Sequence, residues 1–208
     1  MTSILKVDTI QDADGNNIIN ESGNTITIGA SGDTTNIIGT LQNDGAAVGG
    51  LAIADKFRLS AAYSAPSNAD ITSNWERIDT AGQGTLGSAI TESSGIFSFP
   101  ETGIYEVSFF LSASGSDDSR YVAIQINHSS NSGGAYTEVA LGRGNLPYID
   151  STTTYSLVGP ISTYLDITDT STHRVKFNVQ FNVTSTNNVQ GSTTADLTYV
   201  TFKKLGNT

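Results

Sequence analysis

The stretch that decides the fold of this chain runs from Gly95 to Gly115 and reads G-I-F-S-F-P-E-T-G-I-Y-E-V-S-F-F-L-S-A-S-G. After a short turn its apolar side chains recur at every second position, at Tyr105, Val107, Phe109 and Leu111. This alternation is typical of a β-strand with one face buried. Pro100 cannot donate a backbone hydrogen bond and Gly103 tolerates positive φ, so the turn predicts a sharp entry into the strand.

The same residues carry a family resemblance. The turn and strand resemble the F-x-x-P-x-x-G-x-Y-x-F signature of the globular heads of complement component 1q and tumour necrosis factor, through Phe99-Pro100, Gly103-Ile104-Tyr105, Val107 and Phe109. The chain departs from the signature because Phe99 directly precedes the proline and Val107 replaces an aromatic residue. The resemblance implies a trimeric jelly-roll head whose last strand lies centrally in the inner sheet, beside the first.

Phe110 interrupts the polar face of this strand, where Glu106 and Ser108 lie. A large aromatic side chain on a solvated face needs a partner. That partner is predicted to be a local loop or another subunit, which makes Phe110 the candidate residue of a trimer interface.

The composition favours strands and turns over helices. Of the 208 residues, 37% are hydrophobic and 21 are glycines. The length suits one domain of about 150 residues with an appendage. Cysteine is absent, which excludes disulfides and cysteine-ligated metals, so stability must come from the core or from association with other chains.

The charge and the apolar runs exclude several classes of partner. A formal net charge of −10 indicates neither nucleic-acid binding nor docking on anionic lipid, because phosphate contacts need Lys and Arg. No apolar run reaches the 18 residues of a membrane span, and the N-terminus lacks the features of a signal peptide. We therefore expect no membrane insertion and synthesis in a cytoplasm.

The first fifty residues carry isolated isoleucines between Asp, Gly, Asn and Ser turns. Short strands of this kind cannot bury a core alone, so the segment is predicted to be ordered only against copies of itself or against another protein. The segment resembles the N-termini of virion structural and tail-fibre-like proteins of marine bacteriophages. The resemblance lies in three stretches of sequence, Ile4–Asp12, Gly15–Glu21 and Thr25–Gly29. Similar openings there precede different C-terminal domains, so the resemblance implies a shared attachment or stem element.

A Gly/Ala linker at Gly45–Gly50 separates this segment from longer strands, and we place the boundary near Asp55. Residues 1–55 are then a virion-attachment or stem segment and residues 56–208 a head. About nine or ten strands with loop signals between them and no helical window predict an all-β, antiparallel sandwich or jelly roll. The clearest strand runs from Val175 to Val183, with an apolar residue at every odd position.

Candidates for catalysis or metal binding are few. The acidic run Asp12–Asn16 lacks the glycine and glutamate spacing of an EF-hand, so it is interpreted as a turn. Paired carboxylates can bind a cation or act as acid and base, but in a chain this acidic the loop carboxylates are interpreted as solvated; they are Asp117-Asp118, Asp166 and Asp169.

Neither the histidines nor the glycine-rich stretch of the chain indicates a catalytic site. His128 and His173 lack Ser-Asp or Cys partners at a recognisable spacing and are interpreted as surface histidines. The stretch Gly142–Tyr148 joins a guanidinium, an aromatic ring and two glycines, which leaves either a binding loop or an ordinary connection between strands. We predict no catalytic residue, no metal and no cofactor.

Together these patterns predict a bacteriophage virion structural protein and not an enzyme. The chain would be a short trimeric tail fibre whose head binds a glycan or protein of the host surface. It would assemble with itself, join other virion proteins through residues 1–55 and localise to the virion. The receptor site would use the long polar loops of the head, which are Ser114–Arg120, Ser129–Ala135 and Thr184–Thr194; no receptor-binding residue is singled out.

Two alternatives remain open. A capsid decoration or head-fibre protein would be built from the same parts and mounted on the shell. A polysaccharide-degrading tailspike is the enzymatic alternative, but such spikes usually carry a long parallel β-helix, for which this chain is too short.

Overall fold

The computed structural model divides the chain into two compact units, Met1–Gly50 and Leu51–Thr208. It describes the following residues: 51–64, 67–116, 119–147, 153–182 and 187–208 in the second unit, and 9–11, 13, 17–22, 25–28, 32, 34–36, 42–43 and 46–47 in the first. No helix occurs in these ranges, and so none is long and apolar enough to cross a membrane. The all-β prediction is confirmed.

The first unit contains two small antiparallel sheets. Three strands form one of them in the order β1-β2-β3, namely β1 (Thr9–Gln11), β2 (Asn17–Ser22) and β3 (Thr25–Ile28). The other pairs β4 (Gln42–Asn43) with β5 (Ala46–Ala47). The predicted turn at Asp12–Asn16 lies outside the described residues, apart from Ala13.

The second unit is a sandwich of two antiparallel sheets. Its described strands are β6 (Ile53–Leu59), β7 (Asn68–Asp70), β8 (Trp75–Arg77), β9 (Thr91–Ser93), β10 (Ile96–Ser98), β11 (Gly103–Gly115), β12 (Ser119–Ser129), β13 (Thr137–Leu146), β14 (Thr154–Ile167), β15 (Arg174–Phe181), β16 (Asn188–Val189) and β17 (Tyr199–Gly206). Sheet I has the order β13-β12-β15-β10-β9, with β7 beside β15, and sheet II has the order β14-β11-β17-β6-β8, with β16 beside β11.

The connections make this sandwich a jelly roll. The chain crosses between the sheets from β11 to β12, from β13 to β14 and from β14 to β15, while β12 and β13 are neighbours in sheet I. The last strand, β17, lies between β11 and β6 in sheet II. This confirms the expectation that the closing strand is central and pairs with the first strand of the head.

The core lies between the sheets and follows the alternation seen in the sequence. The odd-numbered residues of β11, from Tyr105 to Leu111, have no exposed surface, and neither do the odd-numbered residues of β15 from Val175 to Val179. Phe97 stands at the centre of the aromatic core, with its ring centroid 5.2 Å from Phe57 of sheet II and 5.2 Å from Phe177 of sheet I. Edge-to-face contacts of this kind join the two layers.

The interpretation of Gly142–Tyr148 as a binding loop or connection is wrong for its described part, because Gly142–Leu146 belongs to β13 and pairs with β12. The glycines serve close packing: a Cβ on Gly142 would lie 2.5 Å from Cγ2 of Ile161 in β14. The edge strand of sheet I therefore approaches the edge strand of sheet II more closely than any side chain at this position would allow. Tyr148 lies outside the described residues.

Candidate functional site

Three large side chains stand bare on the outer face of sheet II, away from the core. Tyr155, Leu157 and Tyr164 of β14 are 68%, 67% and 69% exposed. They pair across to Ser114, Ser112 and Glu106 of β11, and opposed residues of antiparallel strands share a face. The three therefore line one side of an edge strand.

A bulge explains why two of these residues point outward. Leu165 and Ile167 face the core at odd positions, whereas Val158 faces it at an even position. The pairing with β11 shifts between Phe109 and Leu111, where β14 carries Gly159 with a φ of 97°. A bulge reverses the side-chain alternation, so Tyr155 and Leu157 lie outside, although the pattern of Ile161–Ile167 extended backwards would bury them.

Phe110 has a partner within the same chain. Its ring stacks on Tyr199 of β17, with centroids 5.1 Å apart and planes inclined by 22°, and Lys56 Nζ lies 3.9 Å above the Tyr199 ring. Phe110 is half-buried. Its partner is thus Tyr199 of the neighbouring strand and not a local loop, and its role at a trimer interface stays a prediction. We call Tyr155, Leu157, Tyr164, Phe110 and Tyr199 the outer apolar surface.

The other half of this sheet face, on the side of β6, is covered by neighbouring segments of the chain. A buried arginine binds these segments. Arg58 of β6 has no exposed surface; its Nε donates to Glu76 at 2.8 Å, and its Nη2 donates to Asp79 at 2.6 Å and to the carbonyl oxygen of Thr193. The hydrogen bond to Glu76 raises the pKa of Arg58, although burial opposes it. Because this cation fastens strand β8 and the loops at Asp79 and Thr193, the β6 side of the face is closed while the β14 side is open.

The two histidines are not separate surface residues, and that interpretation is wrong. His173 is only 7% exposed, and its Nδ1 lies 2.9 Å from Nε2 of the half-buried His128. Its Nε2 lies 3.3 Å from Oγ1 of Thr168. Strand pairing sets His128 opposite Val175, two residues beyond His173, and this adjacency is invisible in the sequence because 45 positions separate the rings.

The described residues of the three polar loops lie near two different ends of strand β12. Strand β12 separates Ser114–Arg120 from Ser129–Ala135, and its eleven residues span about 33 Å at roughly 3.3 Å per residue. Thr184–Thr194 follows Phe181, which pairs with Val122 near the start of β12. Among the described loop residues, those of Ser129–Ala135 lie beside the histidine pair, where the amide of Ser132 donates to the carbonyl oxygen of Thr172 at 2.8 Å.

The acidic candidates do not converge. Asp166 and Asp169 are both exposed, and Asp169 Oδ1 accepts hydrogen bonds from the amide and hydroxyl of Ser171 at 2.8 and 2.6 Å. These bonds lower the pKa of Asp169. Asp117 and Asp118 lie outside the described residues. Within the described part of the chain, no group of three or more His, Cys, Asp or Glu side chains is placed to hold a metal ion.

A shallow cleft of about 320 Å³ opens between the edges of the two sheets, lined by Phe57, Arg77, Ala89, Ile90, Thr91 and Glu92. Its cation is already engaged: Arg77 Nε donates to Asp55 at 3.0 Å, and its Nη2 donates to the carbonyl oxygen of Ile90. Glu92 accepts the amide of Gly95 at 2.7 Å. The polar groups that line the cleft are therefore engaged in hydrogen bonds within the chain, and the cleft does not place an acid next to a base.

Comparison with known proteins gives similarity in structure alone. No protein-family model matches the chain, and no curated protein matches it in sequence. Among solved structures, murine APRIL at pH 8.0 is 10% identical with a TM-score of 0.47, over 74% of this chain and 98% of that chain. Eiger TNF from S. frugiperda is 13% identical with a TM-score of 0.48, over 75% of this chain and 94% of that chain.

Proposed function

We propose that the chain is a bacteriophage virion structural protein, a short homotrimeric tail fibre. Its second unit binds a glycan or protein of the host surface, and its first unit attaches to other virion proteins. The outer apolar surface is the observation that carries this proposal, because it needs a partner. The proposed number of copies rests on the sequence resemblance of Phe99–Phe109, and the proposed virion location rests on the resemblance of the N-terminal segments.

The exposed side chains give a physical reason for association. Complete burial of a large apolar side chain contributes roughly 1.5–3 kcal/mol, and Tyr155, Leu157 and Tyr164 are each about two-thirds exposed. Burying what remains would contribute roughly 1–2 kcal/mol for each residue. Bare apolar patches of this kind mark interaction sites, and a second copy offers a surface of the same chemistry.

The polar groups of the head support a binding role over a catalytic one. Arg58 fastens loops, Arg77 braces an edge, and His128 with His173 joins a turn to a strand.

Light scattering on a sizing column tests self-association with the full chain. We expect the mass of three chains at micromolar concentration. Leu157→Lys should weaken association at least about tenfold, which is about 1.4 kcal/mol, because a lysine would have to be buried. Leu86→Lys is the matched control, since Leu86 is 49% exposed on the connection between β8 and β9. A wild-type monomer, or a Leu157→Lys variant as trimeric as the control, would overturn the proposal.

Electron microscopy of particles labelled with an antibody to the second unit tests the location. Label at the tail would support the tail-fibre proposal. Label spread over the capsid would contradict it and favour the capsid decoration protein.

A further inference from the structure

The outer face of sheet I carries a cluster of side-chain amides, which we call the amide face. It consists of Gln125 and Asn127 on β12, Asn178 and Gln180 on β15, and Asn68 on β7. Pairing sets Gln125 opposite Asn178 and Asn68 opposite Gln180, and opposed residues share a face. Core residues alternate with these amides along β12 and β15. The amide face therefore points away from the core and measures about 13 by 10 Å.

These amides are unusual residues for their positions. Asparagine is depleted in strands, yet Asn127 and Asn178 lie within two of them. The residues Gln125, Asn127 and Gln180 are half-buried, and none of the three forms a hydrogen bond with another described residue through its side chain. Departures from local preference are expected at functional sites. The amide face thus holds donors and acceptors that the fold leaves unused.

Asn178 carries a buried acceptor that no group of the chain satisfies. The residue is 8% exposed, and its Nδ2 donates to Oδ1 of Asp70 at 3.0 Å. Its own Oδ1 is buried and accepts no hydrogen bond from the described residues. Because Nδ2 faces β7, Oδ1 faces the opposite side, towards β12. A buried acceptor without a donor costs free energy, which a ligand that donates to this oxygen would recover.

A second buried polar atom without a partner lies beside the same face. Oη of Tyr136 forms no hydrogen bond with the described residues, and burial raises the pKa of Tyr136, so the hydroxyl keeps its proton. Nζ of Lys176 lies 4.3 Å from the centroid of this ring and 2.6 Å from Oδ2 of Asp70. An unused donor and an unused acceptor are therefore found near the same lysine.

The chemistry of the face selects an uncharged ligand that is rich in hydroxyl groups. Each side-chain amide both donates and accepts, as does a hydroxyl group. Asp70 already neutralises Lys176, and the net charge of −10 repels acidic ligands. A protein partner would need an apolar or aromatic interface core, which the five amide residues do not provide. Leu141 of β13, paired with Gln125, borders the face and can pack on the C–H groups of a sugar ring.

We propose that the amide face is the binding site for a neutral oligosaccharide. The inference rests on the recognition role proposed for the second unit and names the class of its ligand. Hydroxyl groups of the sugar bond Gln125, Asn127 and Gln180. One hydroxyl donates to Oδ1 of Asn178 when the long side chain of Gln125 turns aside. The outer face of sheet II stays free for association between copies, so recognition and assembly use opposite faces of one sandwich.

Binding of the full chain to an array of immobilised oligosaccharides tests the site. The array holds neutral oligosaccharides of glucose, galactose, mannose and N-acetylglucosamine, with sialylated and sulfated members for comparison. We expect binding to one or more neutral members, and the affinity should not change with salt because no ion pair forms. Gln125→Ala and Gln180→Ala should each weaken binding about five- to tenfold, as expected for the loss of one hydrogen bond. Asn207→Ala is the matched control, since Asn207 is an exposed amide after β17 of sheet II, and it should bind like the wild type.

The outcomes separate this site from the proposed function. Light scattering and urea midpoints are read on every sample, and either glutamine variant suffices if the other folds poorly. Binding to no neutral member, affinity that falls with salt, or glutamine variants that bind as tightly as Asn207→Ala would each overturn the inference and leave the proposed tail fibre standing. A chain that binds a neutral oligosaccharide through Gln125 or Gln180 but is monomeric would overturn the homotrimer and leave the site standing.

Discussion

His128 Nε2 lies 2.9 Å from His173 Nδ1, and this hydrogen bond joins strand β12 of sheet I to the turn that follows β14 of sheet II. One ring nitrogen must donate and the other must accept. The pair therefore holds only while one of the two facing nitrogens keeps its lone pair. Two fully protonated rings would turn two N–H groups towards each other.

The first prediction is a loss of stability in mild acid. Burial lowers the pKa of His128, and the neighbouring His173 lowers it further, so the unfolded chain takes up a proton at higher pH than the folded one. Stability should be unaffected above the ordinary pKa of about 6.5 and should fall as the pH drops from there through the lower folded-state value. Urea unfolding midpoints between about pH 7.5 and 5.5 measure this.

His128→Gln is the control for this titration. The variant should lose about 1 kcal/mol at pH 7.5, the net worth of a hydrogen bond, and its midpoint should change less with pH than that of the wild type. The carboxylate of Asp169 does not interfere, because hydrogen bonds from Ser171 lower its pKa and keep it ionised in this range. Equal pH dependence in the two proteins would contradict the prediction.

The second prediction concerns two aromatic residues of the core. Tyr105 and Phe181 are 0% and 1% exposed, so Tyr105→Ala and Phe181→Ala should each destabilise the head by about 3–5 kcal/mol. Tyr105→Phe keeps the ring and removes only the hydroxyl, which donates to the carbonyl oxygen of Glu101 at 3.1 Å. It should cost about 1 kcal/mol. Chemical denaturation measures all three, and a small loss in either alanine variant would show that the site collapses around the cavity.

The third prediction separates packing from association at Phe110. Phe110→Ala removes the stack on Tyr199, worth about 0.5–1.5 kcal/mol, and should also weaken the contact between copies. Its unfolding midpoint should therefore depend on protein concentration more strongly than the wild-type midpoint. Denaturation at two concentrations is the measurement. If the dependence matches the wild type, Phe110 contributes through Tyr199 alone and is not an interface residue.

The fourth prediction follows from the glycines of β13. Gly142→Ala would bring a Cβ to 2.5 Å from Cγ2 of Ile161, a methyl group on a stiff branched side chain, and overpacking should cost about 1–3 kcal/mol. Gly84→Ala is the control, because nothing lies within 4 Å of its Cβ position. It should change stability by less than about 0.5 kcal/mol. Equal stability of the two variants would contradict the close approach of β13 and β14.

The sequence was sufficient to predict which face of a strand is buried, where the alternation within that one strand determines it. The alternation from Tyr105 to Leu111 and along β15 identified the core faces without any partner. It was insufficient where a face depends on a neighbour. The bulge at Gly159 reverses β14 and places Leu157 outside, and only the pairing of β12 with β15 brings His128 to His173.

The fifth prediction divides attachment from recognition between the two units. The second unit contains its own core, so residues 51–208 expressed alone should fold. The fragment should begin at Leu51, because Ile53 is 1% exposed and Asp55 is paired with Arg77 at 3.0 Å. Removing these residues would open the core and leave that arginine without its carboxylate.

This fragment should bind host cells and compete with phage adsorption, since it keeps the polar loops on a rigid sandwich. It should fail to join particles, because the segment that resembles virion-attachment elements is missing. Cell binding by flow cytometry, adsorption kinetics and incorporation into particles measure the three properties, with the full chain as the reference. If the fragment does not bind cells while the full chain stabilises phage heads against heat or chelators, the protein decorates the capsid, and the outer apolar surface serves assembly on the shell.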